Sequence, residues 1–196
     1  MSSGDTIAFS GANTNFGKSK NEYYKFVTTG RIDASGNVMS LLNWSYNCTA
    51  HCFQSLFDGS SGIIDASKVT FPATALASSC YRAFFSKCPN LSAAPTVLPA
   101  TTTAPSCCWY MFENCSSLLD APEIKATSQT NGCFGSMFYG CSNLSSMNVN
   151  FTSWTSQTNG WVNGVQTTSG IFYKPSALGV QRGNNRIPNN WTVVDK

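Results

Sequence analysis

CFGSMFYGCSNL, running from Cys133 to Leu144, has two close copies upstream: CCWYMFENCSSL from Cys107 to Leu118, and CYRAFFSKCPNL from Cys80 to Leu91. The shared pattern is C-x3-[FM]-F-x2-C-x2-L. Its bracketed position holds Phe84, Met111 and Met137, and the next column holds Phe85, Phe112 and Phe138. A weaker copy starts at Cys52, with Leu56, Phe57 and Ile63 in register and Ser60 in place of the second cysteine. A degenerate fifth is expected to start near Trp161, with Val165 and Ser169 in the matching columns. The anchors at 52, 80, 107, 133 and 161 are 28, 27, 26 and 28 residues apart. A near-constant interval of this length marks a repeat architecture.

The half after each leucine is periodic too. Ile63, Leu91, Leu118 and Leu144 are followed three residues on by Ala66, Ala94, Ala121 and Met147, and Val69, Val97 and Ile124 come three later. FPAT at 71–74 and LPAT at 98–101 close two of the repeats, with a looser KAT at 125–127. Pro72, Pro89, Pro95, Pro99, Pro105 and Pro122 fall within this array. Proline removes a backbone donor, so long helices and regular central strands are excluded there. The pattern predicts one short helical turn at each C-x3-[FM]-F segment and one short extended segment after each leucine. Such units bury their apolar edges by stacking on one another.

The segments MFENCSSL (111–118) and MFYGCSNL (137–144) resemble the F-x-x-C-x-x-L core of BspA-like bacterial leucine-rich repeats. The Leu-Pro-Ala-Thr stretches are similar to a variant found in surface proteins of gut anaerobes and their phages. The likeness spans roughly residues 50–170, with an opening strand at 4–9 and a closing strand at 187–194. It implies an α/β fold, a right-handed leucine-rich-repeat-like solenoid of about five coils. One domain is expected over 1–196, with an antiparallel β cap at 4–50, the repeat array at 51–170 and a C-terminal β cap at 171–196. Strands are expected in the first cap at 6–9, 23–27 and 37–42.

Composition narrows the function classes. Charged residues are 11% of the chain, against roughly 25% in ordinary globular proteins. Serine, threonine and asparagine fill the gap with 27, 19 and 18 residues. The net charge of +3 is small and scattered, so nucleic-acid binding is not expected. No apolar run reaches the length of about 18 residues that a membrane span needs, and the first residues lack the basic and apolar regions of a secretory signal.

Nine cysteines leave three readings open. Metal binding is the weakest, because there is no C-x2-C and His51 is the only histidine. Disulfides are within reach if neighbouring repeats stack at about 4.8 Å. The third reading, which the resemblance also implies, is a pair of buried thiol columns: Cys80, Cys107 and Cys133, and Cys88, Cys115 and Cys141. No catalytic residue and no cofactor are expected. A Cys/His nucleophile would have to use His51 beside Cys52, and the acidic pair Asp120 and Glu123 reads as a solvated face. The candidate binding residues are aromatic: Trp109, Tyr110 and Tyr139 occupy variable positions of the turn segments. Trp154 and Trp161 are expected mainly to pack near the last repeat.

These readings point to a non-enzymatic recognition or structural protein. The leading expectation is a phage virion component at the virion surface, such as a head decoration, fibre or tail-associated protein that contacts the host. It rests on a doubly capped array with its own Met1 and no export or anchor signal. Its partners would be other virion proteins or a host-surface glycan or protein, with homo-oligomerisation left open. The alternative is the recognition module of a bacterial cell-surface adhesin.

Overall fold

The computed structural model describes residues 7–11, 17–45, 47–166 and 168–196. A short antiparallel hairpin, β1 (Gly17–Ser19) with β2 (Glu22–Tyr23), is followed by strands that pair only in parallel. β3 (Ile32–Asn37) lies beside β4 (Ile63–Thr70). β5 (Val97–Leu98) pairs with β6 (Glu123–Ile124). β7 (Ser146–Asn148), β8 (Ile171–Lys174) and β9 (Thr192–Asp195) form a three-stranded sheet. Single bridges join these pieces: Asp65 to Ala93, Ala93 to Asp120, and Asp120 to Ser146. One parallel line therefore runs from β3 to β9 through equivalent positions of successive repeats. Pro95, Pro99 and Pro122 sit within or beside the middle segments and keep β5 and β6 to two residues each, since proline cannot donate to the pairing.

The expected α/β leucine-rich-repeat-like solenoid is overturned. Among the described residues there is no α-helix, only single 3-10 turns at Val38–Leu41 and Ser156–Thr158, and the sheets hold two or three strands. The segments expected to be helical are chains of overlapping four-residue turns. Cys80, Arg82 and Phe84 donate their N–H groups back to Ala77, Ser79 and Tyr81 at 3.2–3.3 Å. The residues between them, Tyr81, Ala83 and Phe85, donate outward to Cys107, Trp109 and Met111 of the next repeat, each at 2.8 Å. An α-helix would send every one of these groups to its own residue i−4. The cause is local: Ser79, Ala83 and Lys87 have φ of 55°, 53° and 56°, as do Ser106, Tyr110 and Asn114 at 55–61°. A left-handed residue at every fourth position stops helix propagation. We call this segment the turn ribbon.

The outward hydrogen bonds fix the register of the repeats. Phe57, Phe85, Phe112 and Phe138 donate to Phe84, Met111, Met137 and Trp161 at 2.8–2.9 Å. Trp161 thus stands in the Phe84/Met111/Met137 column, four positions from its expected anchor role, and Gln157 takes the anchor place. Phe134 N–H bonds to Gln157 O (3.3 Å) as Cys108 bonds to Cys133 O (3.0 Å). Upstream, Phe26 N–H donates to Leu56 O (2.6 Å) in the same manner. The expected antiparallel cap is therefore confined to the β1–β2 hairpin, and the chain from Phe26 pairs as a further repeat.

Other boundaries shift as well. Residues 4–6 of the expected opening strand lie outside the described residues, and 7–9 are not a strand. Residues 37–42 contain a 3-10 turn where a strand was expected, because the Asn37 side chain accepts from Met39 N–H (2.9 Å) and turns the chain. At the other end β8 and β9 continue the parallel line, with β9 close to the expected closing strand.

A continuous core fills the space between turn ribbons and strands. Phe57, Phe85, Phe112 and Phe138 stack ring on ring, with successive centroids 5.6 Å apart and interplanar angles of 7°, 19° and 5°. Both cysteine columns are fully buried, and all nine cysteines are free thiols. Cys88, Cys115 and Cys141 each donate Sγ–H to the Phe57, Phe85 or Phe112 carbonyl of the preceding repeat, at 3.0–3.1 Å. Burial pushes Cys88 and Cys141 up to about 12 and Cys115 well above its ordinary range, so the donor proton is retained. Ser60 plays the same part in its repeat, donating its hydroxyl to Phe26 O.

Candidate functional site

The turn ribbons carry the aromatic side chains singled out from the sequence. Ribbon residues two after each anchor form one column, Gln54, Arg82, Trp109, Gly135 and Asn159; those six after form another, Asp58, Ser86, Glu113, Tyr139 and Asn163. Trp109 and Tyr110 stack at 5.3 Å with an interplanar angle of 23°, and both are half-buried. The Arg82 guanidinium of the preceding repeat lies 5.1 Å from the Trp109 ring centre, within cation–π range. On the other side the indole runs along Gly135, where an added Cβ would lie 3.3 Å from Trp109 Nε1. The absence of a side chain there lets the ring lie flat across two repeats.

Tyr110 is the unusual member. Its φ is 61°, while the equivalent positions hold Ser55, Ala83, Ser136 and Gly160, also left-handed. A large side chain in this region is disfavoured, so this aromatic sits where the backbone favours glycine or a small residue. Tyr139 lies on the next repeat and is 40% exposed. It shares its column with Glu113, and the two ribbons meet where Asn114 N–H donates to Tyr139 O (2.6 Å). Glu113 accepts from Ser86 Oγ (3.0 Å). The three aromatics therefore belong to one ribbon surface. Trp109 and Tyr110 are brought into contact, and Tyr139 stands on the adjoining repeat.

The remaining candidates have other work. His51 Nδ1 is held by Gln54 Oε1 at 2.7 Å, and Gln54 Nε2 donates to Lys20 O (3.0 Å). Its neighbour Cys52 is fully buried, and its thiol is pushed up by the hydrogen bond with Cys48 and by burial. Glu123 is held below the usual carboxylate range by Lys125 (2.8 Å) and Lys196 (3.3 Å), and stays ionised. Trp161 is buried against Phe138, Phe151 and Phe172, with its Nε1 on Arg186 O (2.7 Å). Trp154 is half-buried under Arg186, 5.4 Å away. Among the described residues no group of three His, Cys, Asp or Glu side chains is placed to hold a metal, and no helix is long and apolar enough to cross a membrane.

Sequence reasoning missed Arg82 and Arg186. Arg82 reaches Trp109 from 27 residues upstream, a distance equal to the repeat interval that the motif alignment already contained. Arg186 donates to Gln181 Oε1, Thr155 O, Thr158 Oγ1 and Asn185 O at 2.8–3.1 Å, and borders a cavity of about 280 Å3 with Ser156, Asn159 and Asn185. It clamps the last turn ribbon to the C-terminal segment. Compared with known protein families, curated proteins and solved structures, the chain matches none of them.

Proposed function

We propose that this chain is a non-enzymatic recognition protein whose turn-ribbon surface, built on Trp109 and Tyr110 with Arg82 and Tyr139 beside them, engages a glycan on a bacterial surface. The observation that carries the reading is Tyr110. Its phenol stands on a left-handed backbone, half-exposed and stacked on Trp109, where small residues serve in the other repeats. Folding alone favours glycine there, so the ring is best explained by what it contacts outside the chain. Flat aromatic faces beside neutral polar groups suit sugar rings, which offer apolar C–H faces and many hydroxyls. The sparse charge and the abundant serine, threonine and asparagine favour the same class of ligand.

In this proposal the protein is a phage virion component displayed on the virion surface, and the glycan belongs to the host. The likeness of its motifs to repeats of bacterial and phage surface proteins supports that setting. The adhesin alternative uses the same surface and differs only in where the chain is carried. Immunogold electron microscopy of an infected culture, with antibody raised against this chain, separates them. Label on particles is the expected result. Label on cell envelopes with none on particles would overturn the virion setting in favour of the adhesin.

A further inference from the structure

Arg82 differs from the other arginines. Arg182 donates to the Pro188 and Trp191 carbonyls, Arg186 donates to four acceptors, and Arg31 is exposed to solvent. Arg82 is half-buried, with its guanidinium 5.1 Å from the Trp109 ring centre. Among the described residues none accepts a hydrogen bond from that guanidinium, and no carboxylate pairs with it. The equivalent residue one repeat earlier, Gln54, uses its amide on Lys20 O and His51. The carboxylates of this ribbon surface are engaged elsewhere: Asp58 pairs with Lys25 (3.6 Å), and Glu113 accepts from Ser86 Oγ (3.0 Å). Lys87, further along the ribbon of Arg82, is exposed and has no ion pair among the described residues.

We propose that the ligand of this surface is an acidic glycan, with a sugar carboxylate held by the Arg82 guanidinium and the sugar ring lying on Trp109 and Tyr110. The inference rests on the recognition reading above and names the class of sugar. A guanidinium presents a planar fork of donors. Covering it with a neutral sugar takes a charge out of water with nothing to answer it. A carboxylate answers it with paired, charge-assisted hydrogen bonds. Trp109 lies 5.1 Å from the guanidinium and 5.3 Å from the Tyr110 ring, which puts the cation and the aromatic faces within reach of one sugar unit. A carboxylate bonded directly to the sugar ring keeps its two oxygens fixed relative to the stacked face, whereas a phosphate is joined through a rotatable ester link. Lys87 adds a second positive charge to the same surface, outside the fork.

The test measures equilibrium binding to surface polysaccharide extracted from host cells, before and after its carboxyl groups are reduced to primary alcohols. Reduction should weaken binding by the unaltered chain about tenfold or more. Arg82→Gln should bind the native polysaccharide as weakly as the unaltered chain binds the reduced one, and reduction should weaken this variant no further. Arg31→Gln, which removes the same charge from an exposed position, should bind as the unaltered chain does. Binding by the unaltered chain that survives reduction would overturn the carboxylate, and its loss on phosphate removal with hydrofluoric acid would assign Arg82 to a phosphate instead. An Arg82→Gln chain that loses affinity equally for both preparations would show that the arginine only supports Trp109, and would overturn the proposal. Absence of binding to either preparation would overturn the recognition reading, and this inference with it.

Discussion

At Tyr110 the polypeptide carries a large ring on a left-handed backbone, a conformation that costs a non-glycine residue roughly 1–2 kcal/mol. Tyr110→Gly removes that strain and the stacking on Trp109 together, while giving the unfolded chain more freedom. The expected net change in stability by urea unfolding is within about 1 kcal/mol of zero. A loss well beyond that would mean that the ring serves the fold. Cys115 makes the opposite case. Its thiol is enclosed and donates to Phe85 O, so Cys115→Ala leaves a small void and an acceptor short of one donor. A destabilisation of about 1–3 kcal/mol should appear in the same assay, and an unchanged midpoint would show that the thiol hydrogen bond contributes nothing.

The turn ribbon explains both what could be read from the sequence and what could not. Cys80, Tyr81, Phe84, Phe85 and Cys88 are buried, a spacing of one, four, five and eight that also fits one face of a helix over so short a run. The columns, the buried thiols and the Phe85–Phe112–Phe138 stack were thus legible, and the backbone that presents them was not. The distinguishing signal was the column seven after each anchor, Gly59, Lys87, Asn114, Gly140 and Gly164, where glycine and asparagine recur at left-handed φ. The last repeat was misplaced by four because Gln157 stands where a cysteine would have marked the anchor. Trp109 and Tyr110 were legible as neighbours; Arg82 joins them only through the pairing of repeats. Far-UV circular dichroism should accordingly lack the paired minima of α-helix. Phe85→Ala, which opens the middle of the ring stack, should cost about 3–5 kcal/mol. At the closing end, Gly170 allows the Trp191 indole to lie against the backbone, since a Cβ there would fall 2.5 Å from Trp191 Cδ2. Gly170→Ala should lower the melting temperature by displacing that indole from the core, and an unaltered melt would mean that the C-terminal segment yields freely.

For the molecule as a whole, the buried thiols set the response to pH. Cys80, Cys88, Cys108, Cys115, Cys133 and Cys141 are all pushed up, chiefly by burial or, for Cys108, by its hydrogen bond with Cys107. Below the ordinary thiol pKa of about 8.5 folded and unfolded states are both protonated, and these groups leave stability unchanged. Above it the unfolded chain releases protons that the folded chain keeps, so stability falls as pH rises towards about 12, the level reached by Cys88, Cys133 and Cys141. Each such thiol contributes up to about 1.4 kcal/mol per pH unit in that window. A melting temperature that drops steeply in mild alkali, above the ordinary thiol pKa of about 8.5, is the expected contribution of these six thiols; a level profile from there through pH of about 10 would contradict the closed core. The recognition proposal is tested most directly by equilibrium binding of the chain to bacterial host cells and to surface polysaccharide extracted from them. Saturable binding is expected, weakening by about tenfold or more in Trp109→Ala and in Tyr110→Gly, with melting preserved and with Trp44→Ala, a change to an exposed indole elsewhere, without effect. Equal binding by all four proteins, or none by the unaltered chain, would contradict it.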